Sequence, residues 1–121
     1  MSRRILVVED QEDSRRILRD LLTSADYEIM EAVNGEEALR TAAKQRPDLI
    51  LMDIQLPIMD GYEATRRIKA DPTLTHVPII AVTSHALTGA KARARAAGCD
   101  DFVPKPYSPR QLLAKIRQLL R

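Results

Sequence analysis

The sequence is short of several residue types at once. Cys99 is its one cysteine, so no internal disulfide is possible, which fits a reducing cytoplasm. Aromatic residues make up 3%, with no tryptophan. Stacking on single-stranded nucleic acid draws on aromatics, and the basic last third offers only Phe102 and Tyr107; no direct nucleic-acid contact is expected. There are four glycines, and none lies in "VEDQEDS" after the first apolar run. A nucleotide- or flavin-binding module wants a glycine-rich turn there, and this acidic turn repels phosphates unless a metal is present. No apolar run approaches the roughly 20 residues of a membrane span. The run after Arg3 and Arg4 is also too short for a signal peptide and reads as a first strand.

The 121 residues suit one domain, expected over 1–121. Apolar residues at 45% and charged residues at 30% make a globular mix rather than a disordered one. Net charge is +2, but it is unevenly spread. Residues 1–86 hold 11 basic and 15 acidic side chains, while residues 87–121 hold 8 basic and 2 acidic. The last third therefore carries a positive surface that is either a solubilising helix face or a site for an acidic partner.

Short apolar runs alternate with helical spacing. "RILVVE" (4–9), "YEIMEA" (27–32), "DLILMD" (48–53) and "VPIIAVT" (77–83) read as strands, and "DDFVP" (100–104) as a weaker fifth. Three of them are nearly all apolar, as strands buried on both faces of a parallel sheet are. Ile17, Leu18, Leu21 and Leu22 form one helical stripe; Leu112, Leu113, Ile116, Leu119 and Leu120 form another. Asn34-x-x-Glu37, Asp60-x-x-Glu63 and Ser108-Pro109-x-Gln111 mark helix starts. Gly98 stops a helix over about 88–97, and Asp71-Pro72 ends the one before it. The order is β-α repeated five times, which implies a doubly wound parallel α/β sheet with right-handed crossovers. The chain stops with the fifth helix, so no output domain is expected.

Ligands of such a sheet bind outside the carboxyl ends of its strands. Asp53 ends the third strand, Glu9 and Asp10 end the first, Thr83 ends the fourth and Lys105 follows the fifth. One such residue alone is an ordinary cap or a solvated charge; the set at matching ends is hard to attribute to chance. Three clustered carboxylates repel, so they need a cation or raised pKa values. The donors are all oxygens, which favours a hard ion, Mg²⁺. Beside that ion Asp53 can act as a nucleophile toward a phosphoryl group, with Lys105 and Thr83 contacting the phosphoryl oxygens. Phosphoryl transfer then depends mainly on positioning and electrostatics.

"VVEDQ", "LILMDIQLPIMDG", "AVTSHA" and "FVPKPYS" together resemble the receiver domain of two-component response regulators, over the whole chain and in order. The chain looks most like a stand-alone receiver of the chemotaxis and cell-cycle type. The resemblance implies a flavodoxin-like strand order 2-1-3-4-5. It implies that Asp53 takes phosphate from a histidine kinase or histidine phosphotransferase. It implies Mg²⁺ held by Asp10, Asp53 and the backbone carbonyl of Gln55, with Glu9 assisting through water. Thr83 and Lys105 would bind the phosphoryl group, and a cis peptide is common at the Lys105-Pro106 position. Thr83 and Phe102 form the switch pair; phenylalanine lacks the tyrosine hydroxyl common there, so an inward swing rests on packing. Gln55 and His85 sit where similar proteins tune dephosphorylation.

The helix over about 88–97, with many alanines, buries little and is a plausible moving part. Moving its equilibrium from 1:99 to 99:1 takes about 5.5 kcal/mol. Lys91, Arg93, Arg95, Arg110, Lys115 and Arg117 would meet an acidic downstream protein on the surface of that helix, the fifth strand and the last helix. A cytoplasmic monomer or weak dimer is expected. Met30, Met52 and Met59 read as packing, His76 as a solvated loop residue and Cys99 as a small buried one. Three other readings stand beside the receiver. One is a Mg²⁺-dependent aspartyl phosphatase or phosphotransferase, although Gln55 is a poor general acid. Another is a receiver piece of a hybrid histidine kinase. The third is a degenerate static receiver, which usually goes with loss of the aspartate, lysine or acid pair, all present here.

Overall fold

Side chains alternate between the two faces of a strand, so a strand apolar at every position must be covered on both. The computed structural model describes residues 2–83 and 89–120. Its strands are β1 (Arg4–Val8), β2 (Glu28–Ala32), β3 (Leu49–Asp53), β4 (Ile79–Thr83) and β5 (Asp101–Pro104). Its helices are α1 (Glu12–Ser24), α2 (Gly35–Gln45), α3 (Gly61–Ala70), α4 (Ala90–Ala97) and α5 (Pro109–Leu119). All strand pairs are parallel, in the order β2-β1-β3-β4-β5. The expected sheet is therefore observed, with each strand end within two residues of its sequence-based position. His85 lies outside the described residues.

The sheet divides the core in two. Leu6, Val8, Ile50, Met52, Ile79 and Ala81 pack with Ala38 and Ala42 of α2, Ala64 and Ile68 of α3, and Ala94 and Ala97 of α4. Ile5, Val7, Leu49, Leu51, Ile80, Val82 and Val103 pack with Leu18 and Leu22 of α1 and Leu112 and Ile116 of α5. Cys99 and Met52 are buried, and Met30 and Met59 pack at the edge of the first cluster. Ile17 departs from its expected stripe: it is 60% exposed, because the seam facing the sheet is centred on Leu18 and Leu22.

The caps form as the sequence implies. Asn34, Asp60 and Ser108 accept hydrogen bonds from the N–H groups of Glu37, Glu63 and Gln111. Gly98 closes α4 at φ 110°, a left-handed geometry that suits glycine. The Lys105-Pro106 peptide is cis. At the opposite edge of the sheet from Asp53, Lys69 at the end of α3 donates to the Val77 and Thr75 carbonyls and to Asp100. The same Asp100 oxygen accepts from Ile79 N–H, tying α3, β4 and the lead-in to β5 together.

The loop from β3 to α3 holds one strained residue. Ile58 has φ 71° and is 76% exposed. A β-branched residue is a genuine outlier in that region, at a cost of roughly 1–2 kcal/mol. Asparagine tolerates it better, and exposing it loses no apolar burial. Ile58→Asn is therefore expected to raise stability by about 1 kcal/mol, roughly 3–5 °C in Tm. An unchanged or lowered Tm in a thermal melt would show that the turn bears no such strain.

Candidate functional site

Parallel pairing brings distant parts of the chain to one edge. Val8 is level with Met52, Asp53 with Val82, and Thr83 with Pro104. Glu9, just past the first pair, therefore stands beside Asp53, while Lys105 leaves β5 two strands away and reaches back past β4. Lys105 Nζ lies 2.5 Å from Glu9 Oε1 and 3.6 Å from Asp53 Oδ2. Carboxylate oxygens of Glu9, Asp10 and Asp53 all lie within 4.8 Å of one another. The Gln11 N–H donates to Glu9 Oε2 at 3.1 Å, and the Gln55 N–H donates to Asp53 Oδ1 at 3.0 Å. Glu9, Asp10, Gln11, Ser14, Asp53, Gln55 and Lys105 line an open cavity of about 360 Å³.

The electrostatics follow from this crowding. Burial, and then the Glu9 charge, push the Asp53 carboxyl up to about 7. Burial and Glu9 also raise Asp10. For Glu9, burial pushes upward, but hydrogen bonds from Lys105 and Gln11 outweigh it and leave the group below the usual range. For Lys105, burial pushes downward, but Glu9 and Asp53 win and hold the ammonium above its ordinary value. The site thus has more negative charge than one lysine neutralises. Its donors are hard oxygens converging from three residues, and this set fits a small divalent cation such as Mg²⁺.

The remaining expected residues fall as follows. Thr83 is buried at the end of β4 and is not among the cavity walls. Phe102 is half-buried against the cluster under α2, α3 and α4. Lys91, Arg95, Arg110 and Arg117 are exposed. Arg93 is exposed too, but its guanidinium sits 4.4 Å from the centre of the Tyr62 ring. Both oxygens of Asp101 hold the Lys115 ammonium, at 3.0 and 3.2 Å. Its charge is largely answered within the chain. Arg15 and Ser14 were missed: neither ends a strand, and only the path of α1 past the acidic turn reveals them.

The family model described as "Response regulator receiver domain" matches residues 5–117. A curated relative, the polar-differentiation response regulator DivK of Brucella anthropi, is 42% identical over 99% of this chain and 98% of its own. Two solved structures are similar throughout. The receiver domain of the Pseudomonas aeruginosa sensor histidine kinase PA1611, with a magnesium ion coordinated in its active-site cleft, has a TM-score of 0.92 and 37% identity, covering 99% of this chain and 98% of that one. The Vibrio cholerae chemotaxis protein CheY4 has a TM-score of 0.93 and 29% identity, covering 99% of this chain and 100% of that one.

Proposed function

This chain belongs to the response regulator receiver domain family, whose function is phosphoryl acceptance with Mg²⁺, and from that premise we propose that Asp53 is its acceptor. One observation carries the reading: three carboxylates and a lysine from three strand ends share a single cavity. The chain is read as one receiver domain over 1–121, working in the cytoplasm as a monomer or weak dimer. Among the described residues no helix is long and apolar enough to cross a membrane. Its donor is read as a histidine kinase or histidine phosphotransferase, with no separate turnover substrate.

In the proposed reaction a carboxylate oxygen of Asp53 attacks the phosphorus of a phosphohistidine. The P–O bond forms as the P–N bond breaks, and the imidazole nitrogen keeps the electron pair and takes a proton from solvent. Glu9, Asp10, Asp53 and Gln55 are the residues proposed to hold Mg²⁺, whose positive charge would offset carboxylate repulsion and favour the ionised form of Asp53. The Gln55 amide fixes one Asp53 oxygen, and Lys105 presents its ammonium near the other. Thr83 is read as the hydroxyl partner of the arriving phosphoryl group and, with Phe102, as the switch. The exposed Ile17 lies in a groove with Leu18, Pro106 and Tyr107 that shares Glu9, Ser14 and Lys105 with the acceptor cavity. A donor helix would bury that isoleucine as it delivers its histidine. Incubation with Mg²⁺ and acetyl phosphate should add the mass of one phosphoryl group per chain; multiple turnover of a small phosphate ester would instead indicate an enzyme.

For the output, the proposed contact is the surface of α4, β5 and α5, with Lys91, Arg93, Arg95 and Arg110 meeting an acidic protein. Lys115 contributes less, being paired with Asp101. Arg93→Glu with Arg95→Glu is expected to weaken capture of the downstream partner at least tenfold, because like charge now faces an acidic surface. Phosphoryl uptake from acetyl phosphate should stay as in the wild type. Equal partner capture in a pull-down would remove this surface from consideration.

A further inference from the structure

Taking the receiver reading as given, the acidic turn between β1 and α1 needs something to hold it, because its carboxylates repel. The helix supplies no side-chain cap: Gln11, at the N-cap, makes no such bond. Arg15, one turn further on, instead ties the turn down by donating to its carbonyls. Its Nη1 donates to the Glu9 carbonyl at 2.9 Å and to the Asp10 carbonyl at 3.1 Å. Its Nε lies 3.3 Å from Glu31 Oε1 on β2, and its side chain is only 14% exposed. Glu31 is in turn gripped by Arg19 through two bonds of 2.9 Å.

The geometry has a specific effect on Asp10. The Glu9 carbonyl belongs to the peptide plane before the Asp10 Cα, and the Asp10 carbonyl to the plane after it. Peptide units are planar, so tying both carbonyls to one guanidinium fixes both backbone dihedrals of Asp10 and hence the direction of its Cβ. Arginine suits the task because its planar fork can bind the carbonyls on one arm and a carboxylate on another. We propose that Arg15 is a positioning residue that, braced by Glu31, holds the Glu9-Asp10 turn so that the Asp10 carboxylate meets Asp53 at the cation site.

The sign of one measurement separates this role from simple charge. Removing a nearby positive charge should tighten Mg²⁺ binding on electrostatic grounds alone. Losing a group that orients a ligand should weaken it, typically 10–100-fold. Mg²⁺ affinity is measured by calorimetry on the wild type, Arg15→Met, Arg15→Lys and Arg16→Met, with Tm recorded for each. Arg16 is the control, since its partner among the described residues is the surface carboxylate of Asp13. Arg15→Met should raise the Mg²⁺ Kd at least tenfold, and Arg15→Lys, at unchanged charge, should raise it severalfold. Arg16→Met should match the wild type, and uptake from acetyl phosphate at saturating Mg²⁺ should return to within a few-fold of the wild-type rate. An unchanged or lower Kd in Arg15→Met overturns the proposal, even if Tm falls. Should that variant fail to fold, an unchanged Kd in Arg15→Lys overturns it instead. A wild-type chain that takes up neither Mg²⁺ nor a phosphoryl group overturns the receiver reading beneath it.

Discussion

Asp53→Asn should take up no phosphoryl group from acetyl phosphate and Mg²⁺ while folding to a more stable metal-free protein. Both effects have one cause. The amide is a poor nucleophile and carries no charge, so the attacking group and the unfavourable charge disappear together. In the wild type, burial and Glu9 raise the Asp53 carboxyl from its ordinary 3.8 to about 7. A raised acid contributes stability that is fully present below the unfolded value and is lost as pH climbs through the folded one. At pH 8 the wild type has lost that contribution, and asparagine avoids the penalty. Some gain is forfeited with the contact to Lys105, so about 2 kcal/mol remains, roughly 5–10 °C in Tm. The gap should shrink as pH falls from 7 toward 4, and added Mg²⁺ should narrow it by binding the wild type alone. An asparagine variant that still gains one phosphoryl group would place the acceptor elsewhere. One that melts below the wild type at pH 8 without metal would show that Asp53 is not under strain from its neighbours.

Gly61→Ala tests the backbone behind the acceptor. Gly61 opens α3, and its N–H donates to the Ile54 carbonyl at 2.9 Å, closing the loop that leaves β3. A Cβ on this residue would stand 2.3 Å from the Asp53 carbonyl oxygen and 2.7 Å from the Ile54 Cα. Both neighbours are main chain, so neither can turn aside as a side-chain tip can. Helix propensity favours alanine by about 1 kcal/mol. The overlap is expected to cost on the order of 3 kcal/mol or more, so the clash wins. Tm should fall by roughly 10 °C or more. Because the displaced backbone is that of Asp53, uptake at a temperature where the variant is folded should also drop by about 100-fold. A wild-type melt for Gly61→Ala would mean the loop has slack that its close packing denies.

These two residues also show what a sequence can disclose. Asp53 stood out because a carboxylate ended an all-apolar run, and a parallel sheet makes strand ends the place to look. Gly61 was legible only as part of a motif; its reason, a backbone approach, is a three-dimensional fact. Lys105 and Glu9 were found by the same strand-end argument, although they are 96 residues apart. Arg15 was not found, because its bonds run backward to main-chain carbonyls and sideways to an edge strand. Lys115 counts toward the positive face in the sequence, while its pairing with Asp101 on another element is one that local patterns do not record. Ile17 misled for a different reason: four apolar residues in six make a stripe wider than the seam they bury.

The fastening of Lys69 to Asp100 bears on how a signal travels. That bolt lies next to Gly98, where an added Cβ would meet Lys69 Cγ at 2.9 Å, so the trailing end of α4 is pinned against α3. Its leading end begins at Gly89 without a side-chain cap and rests on alanines. If the helix turns on that pin, its fulcrum lies far from the acceptor. A pull at the acceptor edge would then work on the Gly89 end, where Tyr62 supplies both a hydroxyl bond to the Ala90 carbonyl at 3.4 Å and the ring beneath Arg93.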